Sequence, residues 1–210
     1  MKRKLNEKSG DLYSSDGLYG TIDYGSPGVC KGLCMAHHIL TSKKYKIPVP
    51  CEGYAKPRVL VVGAGNGYEI VYLAKQGYDV TGLEYYIPDI QMVKERSVKA
   101  DAAQMPFKDK TFDMCFSAET MEHVQPEQTD NVLNEMGRVA GSIFLTIATR
   151  GDPPFNSHIN IHDGLWWGEK IKELGFKLIV CHMPPLLTAY IKDKLIDVSW
   201  ADGVYIVATR

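Results

Sequence analysis

The chain contains no apolar run approaching the ~20 residues a bilayer span requires, so nothing in it reads as a membrane helix. It is poor in cysteine, with five residues, Cys30, Cys34, Cys51, Cys115 and Cys181. An odd count, spacing unlike a disulfide framework, and no secretory leader pattern predict a reducing, cytoplasmic setting. An excess of charge of either sign is also missing: 24 Lys and Arg stand against 25 Asp and Glu, a net charge of −1. No global positive field therefore draws in nucleic acid. Internal repeats and low-complexity segments are absent. What is present is an ordinary globular composition, 45% hydrophobic and 23% charged over 210 residues, enough for one domain with a sizeable core.

The most informative stretch is Arg58-Val59-Leu60-Val61-Val62-Gly63-Ala64-Gly65-Asn66-Gly67. An unbroken Val/Leu run predicts a parallel strand covered on both faces. Glycines at alternate positions let the chain turn sharply and let a ligand lie against bare backbone. The helical pattern from Tyr68 to Gln76 points its first N–H groups back at that loop. Together these predict a nucleotide-type cofactor pocket at a strand end. A dinucleotide loop reads G-x-G-x-x-G. Here Tyr68 takes the place of the third glycine, hindering close helix–strand packing and leaving less room for a pyrophosphate, which argues against an NAD-linked oxidoreductase. A second strand, residues 79–84, ends in Glu84. It lies about 20 residues beyond the first glycine, a spacing at which a carboxylate accepts ribose hydroxyls.

Three further stretches join these in resembling one family. Val98 to Phe107 is similar to the third motif of class I S-adenosylmethionine-dependent methyltransferases, and Thr111 to Val124 to their fourth strand and its loop. Leu133-Asn134-Glu135-Met136-Gly137-Arg138-Val139 is typical of the small-molecule, type 11-like branch. The resemblance runs from Val59 to Phe176. It implies an α/β, Rossmann-like open sheet of seven mostly parallel strands with helices on both faces, the last strand antiparallel beside the sixth. It implies S-adenosyl-L-methionine as cofactor and S-adenosyl-L-homocysteine as product. Gly63, Ala64, Gly65 and Gly67 would shape the pocket; Glu84 and Tyr85 would meet the ribose; Asp101 with Ala102 would meet the adenine; Ser117 and Glu119 would line the transfer site. Many members carry an acid just before the loop, where this chain has Val61. Glu69, just past the loop, is the candidate to face the methionine ammonium.

Residues 1–57 are expected to be an N-terminal extension of the same domain: a polar tail, a Tyr- and Gly-rich loop, a lid helix over Val29 to Lys43, and a proline-rich linker. Residues 58–210 are expected to form the core. Its later elements read as a short helix from Ile87 to Glu95, a brief strand at Ser97–Ala100, and a loop at Asp101–Asp109. A strand at Phe112–Ser117, a helix starting at Pro126, and a strand at Ser142–Ala148 follow. The last are a helix from Leu165 to Leu174, a strand at Phe176–Cys181, a connection from Met183 to Trp200, and a strand at Val204–Thr209.

Methyl transfer is an in-line displacement whose thioether leaves without an acid, so positioning is the main requirement. A hydroxyl acceptor also needs a base; an amine needs only its lone pair. His158 and His162 are the preferred bases, since imidazole takes a proton near neutral pH. His123 is the third candidate, with Glu119 and Glu122 beside it. For each His, a locally hydrogen-bonded structural role competes. No metal is assigned: Cys30 and Cys34 with His37 or His38 lack zinc spacing, and a His158, His162, Asp163 set ranks behind the base role. Asp152-Pro153-Pro154-Phe155 mimics a signature of nucleobase-amine methylation but falls after the fifth strand rather than the fourth, and reads as a turn. Trp166 and Trp167 bury a helix face or stack on a substrate. The expected function is methyl transfer to a hydroxyl or amine of a small molecule, with a sugar or sugar-linked metabolite as one acceptor class. The rivals are a nucleic-acid (base or cap) methyltransferase and a non-catalytic cofactor-binding partner subunit.

Overall fold

The Val/Leu run forms β1 (Arg58–Val62), and four of its five residues are buried. Its side chains alternate between two cores. Val59 and Val61 face a cluster with Ile70, Leu73, Val80, Met114, Phe116 and Phe144. Leu60 and Val62 join the larger cluster with Leu133, Met136, Leu145, Trp167 and Ile171. A strand covered on both sides has no polar face to show, which is why it carries no alternation. The computed structural model describes residues 55–87, 91–151, 153, 156–182, 188–191, 194–197 and 203–210. The lid helix, Cys30, Cys34, His37, His38, Pro88 and most of the Asp152–Phe155 turn lie outside the described residues.

After β1 come α1 (Tyr68–Lys75), β2 (Asp79–Glu84), α2 (Gln91–Arg96), β3 (Ser97–Lys99) and β4 (Met114–Ala118). Then follow α3 (Thr129–Val139), β5 (Ser142–Ala148), α4 (Gly164–Glu173), β6 (Lys177–His182), β7 (Thr188–Ile191), β8 (Lys194–Asp197) and β9 (Gly203–Thr209). Among the described residues the main sheet has seven strands in the order β3-β2-β1-β4-β5-β9-β6. β3, β2, β1, β4 and β5 are mutually parallel. β9 runs antiparallel to both β5 and β6. Helix α1 packs on one face of this sheet, and α3 and α4 pack on the other.

Three local expectations shift. The fourth strand proper begins at Met114, and Phe112 joins by a single bridge to Ala140. Between them Asp113 is engaged with Arg58: its Oδ2 accepts from the Arg58 N–H at 2.7 Å, and its N–H donates to the Arg58 carbonyl at 2.9 Å. Pro126 opens a 3-10 turn, Pro126–Gln128, and the α-helix begins at Thr129. The connection between β6 and β9 contains the hairpin β7–β8, paired from Thr188 with Asp197 to Ile191 with Lys194.

Candidate functional site

The glycine loop is fixed at the carboxyl end of β1 by backbone bonds: the N–H groups of Gly63 and Ala64 donate to the Leu83 carbonyl at 2.9 and 3.3 Å. Gly63 has φ +73°, and a Cβ there would collide with the Thr120 side chain. The loop is therefore packed directly against the segment after β4, at a distance only a hydrogen permits. Gly65, at φ +47°, has the opposite surroundings: a Cβ built on it meets nothing within 4 Å. Among the described residues, Gly65 thus presents bare backbone with nothing packed on it. Gly67 caps α1 in the left-handed region, Ala64 is buried, and Tyr68 is 40% exposed at the rim.

Glu84 ends β2 almost fully buried, at 5% exposure. Its Oε2 accepts from Gly65 N at 2.9 Å, and its Oε1 accepts from Tyr85 N at 2.8 Å and Tyr86 N at 3.2 Å. Burial pushes this carboxyl above its ordinary range, and the three N–H donors oppose that push. A carboxylate has about four acceptor positions, so three donors leave capacity for a hydroxyl. Ala100 N donates to the Glu84 carbonyl at 3.1 Å, which brings the start of the next loop alongside. There Asp101 Oδ1 accepts from Ala103 N at 2.8 Å, and Ala102 packs against the core. Gly65, Glu84 and Asp101 therefore share one end of the sheet.

A clamp from α3 holds that loop. Glu135 Oε2 accepts from Met105 N at 2.7 Å, while Arg138 donates to the carbonyls of Phe107 at 2.7 Å and Met105 at 3.1 Å. Arg138 also pairs with Glu135 at 2.6 Å and with Asp109 at 2.9 Å. Glu135 and Arg138 belong to the stretch that carries the resemblance, but their partners lie about 30 positions away and only the folded chain identifies them.

Near the end of β4, Ser117 is buried and its Oγ has no hydrogen-bond partner among the described residues. Glu119 is held at φ +51°, with its N–H donating to the Thr146 carbonyl at 2.9 Å. The charge of Glu119 also reaches Glu69 in the first turn of α1. Burial chiefly, and Glu119 in addition, push the Glu69 carboxyl up to about 7, against its own backbone N–H. Glu69 keeps part of its surface exposed, which tempers that push. Val61, in the family's acidic position, is 1% exposed in the core.

The three histidines part company. His123 and His158 meet edge to face, ring centroids 4.8 Å apart. The loop carrying His158 is fastened to the turn Met121–His123: Ile159 N and Asn160 N donate to the Glu122 carbonyl at 2.8 and 3.0 Å. Buried Asn160 also donates through Nδ2 to the Met121 carbonyl at 3.0 Å and to Thr129 Oγ1 at 2.9 Å. His162 instead stacks on Trp166 at 3.5 Å, and burial holds its pKa below the ordinary value. Asp163 caps α4, accepting from Trp166 N at 2.8 Å. Trp167 is wholly buried in the core. Buried Glu122 stands with His123 and His158, whereas the sequence reading set His123 beside Glu122 and grouped His158 with His162 and Asp163.

Comparisons with known proteins bear on the family and the fold. The family model described as a methyltransferase domain matches residues 60–142. Squalene methyltransferase 1 of Botryococcus braunii is 27% identical over 138 residues, 56% of this chain and 36% of that protein, so the chain spans about a third of that relative. Among solved structures, the complex of the Haloferax volcanii Trm112 methyltransferase activator with a putative methyltransferase contains a similar chain, with TM-score 0.65 at 15% identity and 99% of each chain covered. Burkholderia thailandensis 1,6-didemethyltoxoflavin-N1-methyltransferase, with S-adenosylhomocysteine bound, superposes with TM-score 0.62 at 14% identity over 100% of this chain and 93% of that one. At such identities these likenesses concern the fold.

Proposed function

From the methyltransferase domain at residues 60–142 and the sheet that carries it, we infer that this chain is a class I S-adenosylmethionine-dependent methyltransferase. We propose that its acceptor is a hydroxyl or amine of a small molecule. The observation that carries this reading is the meeting of Gly65 and Glu84: an uncrowded left-handed glycine bonded to a buried carboxylate at a strand end. These features fit an adenosine, one of whose ribose hydroxyls would donate to Glu84. The cofactor, when bound, supplies an electrophilic methyl carbon on a sulfonium.

The chain's own residues would do the rest. Gly63, Ala64, Gly65 and Gly67 give the cofactor a backbone surface, Tyr85 flanks the ribose, and Asp101 with Ala102 receives the adenine. Glu69 and Glu119 would face the methionine ammonium, the role an acid at position 61 plays elsewhere. Ser117 lends an unpaired buried hydroxyl near the transfer position. His123 and His158, together at the ends of β4 and β5, are better placed than His162 to meet an acceptor there. No described helix is long and apolar enough to cross a membrane. We place the reaction in the cytoplasm.

Calorimetric titration with S-adenosylhomocysteine should show one saturable site; absence of heat at every temperature tried would sink the reading. Radiolabelled methyl donor incubated with fractionated host extract should then label a small-molecule fraction. Label confined to nucleic acid would turn the assignment to the first rival.

A further inference from the structure

We propose that Glu122, His123 and His158 bind a first-row divalent cation, and that this ion engages an acceptor oxygen. One ligand atom from each of the three residues lies within 4.8 Å of the others. Donors around one ion at about 2.1 Å stand roughly 3–4 Å apart, so a small closure completes the set. Glu122 is fully buried, and buried carboxylates are usually paired or coordinate metals. Each imidazole is oriented through its other nitrogen: His123 Nδ1 lies 3.1 Å from the Ser157 carbonyl, and His158 Nδ1 lies 2.6 Å from the Arg150 carbonyl. A carbonyl only accepts, so these partners put the ring proton on Nδ1 and the lone pair on Nε2. Metal-binding histidines are oriented by the same kind of bond.

The remaining contacts fix the triad. Glu122 Oε1 accepts from Ala148 N at 3.3 Å, and Asn160 holds the His158 loop on the Met121–His123 turn. The three residues thus sit where β4 and β5 end, on the side of the sheet where ligands of such folds bind. Two imidazoles and one carboxylate favour Zn²⁺, Co²⁺ or Mn²⁺ over the all-oxygen sites of Mg²⁺ and Ca²⁺. Three protein ligands leave an open position.

The second half of the proposal rests on the methyltransferase reading and deepens it, selecting a hydroxyl over an amine. Near a divalent ion a hydroxyl loses its proton more readily. Its O–H bond breaks, with the proton going to water. The oxygen lone pair then forms the O–CH3 bond as the C–S bond breaks, and that electron pair stays on sulfur in the neutral thioether.

The test uses the full chain, stripped with chelator and titrated with Co²⁺ alone. One equivalent should bind with visible ligand-field absorption. His123→Ala and His158→Ala should each weaken binding by at least tenfold, while S-adenosylhomocysteine titration reports that each variant is folded. Should both variants unfold, the wild-type proton spectrum decides: two imidazole resonances should acquire paramagnetic shifts. Unchanged Co²⁺ binding in folded variants, unshifted imidazoles, or no Co²⁺ binding by a protein that still binds S-adenosylhomocysteine would overturn the site. Displacement by equimolar Mg²⁺ would overturn the ion class. A protein that binds Co²⁺ as stated but not S-adenosylhomocysteine keeps the ion site and loses the cofactor reading.

Discussion

Glu84 and Glu69 show two ways a carboxylate can sit beside a glycine loop. Glu84 is buried but receives three N–H donors, so it stays suited to accepting more hydrogen bonds. Glu84→Ala removes charge-assisted bonds worth about 1.5–3 kcal/mol, and calorimetry should find S-adenosylhomocysteine bound roughly tenfold to hundredfold more weakly. Glu69 sets its own backbone N–H against burial, and its carboxyl is raised from 4.5 to about 7. For the protein alone, an acid with a raised folded pKa adds stability below its unfolded pKa and loses it as pH rises toward 7. Cofactor binding has the opposite sign, since an ammonium prefers the ionised acid. Affinity for S-adenosylmethionine should therefore climb between about pH 6 and 7.5, with proton release. Glu69→Gln should flatten that climb; an unchanged profile would remove Glu69 from the ammonium site.

The element that most affects the loop at residues 101–109 is α3, through Glu135 and Arg138. The Arg138 guanidinium holds the Glu135 carboxyl below its usual range. A depressed acid lends stability above its unfolded pKa, about 4.3, and that contribution disappears as pH falls through the folded value. Arg138→Ala leaves the Met105 and Phe107 carbonyls without this donor and Glu135 without its counter-charge. The pair is partly solvated, with Arg138 30% and Glu135 19% exposed. The expected loss is therefore about 1–2 kcal/mol, read as a lower Tm and faster hydrogen exchange at residues 101–109. Exchange that quickens everywhere equally would mean a general loss of stability, not release of a clamped loop.

For the molecule as a whole, β9 is decisive. It closes the sheet between β5 and β6 and inserts Val204, Ile206 and Ala208 into one core and Val207 into the other. Burying Val204, Ile206 and Val207 contributes roughly 5–9 kcal/mol, comparable with the total stability of a domain. Deleting residues 203–210 should abolish cooperative unfolding and S-adenosylhomocysteine binding together. A truncated chain with a sharp transition in circular dichroism would show that the parallel strands stand without it.

Sequence alone fixed what depends on neighbours along the chain. The Val/Leu run needs two covered faces, the alternate glycines need left-handed backbone, and Gly77 and Gly175 end helices at positive φ. Those are local demands of sterics and burial, and they led to the sheet, the loop and Glu84. The late start of β4 was less legible, because Asp113's engagement with Arg58 spans 55 positions. The partners of Arg138 and the union of Glu122, His123 and His158 were decided only by tertiary structure. Asn160 and the Met121–His123 turn bring together residues from the ends of two strands. Hydrogen bonds and ion coordination act through space over a few ångströms, and the order of residues does not encode that distance until the sheet has formed.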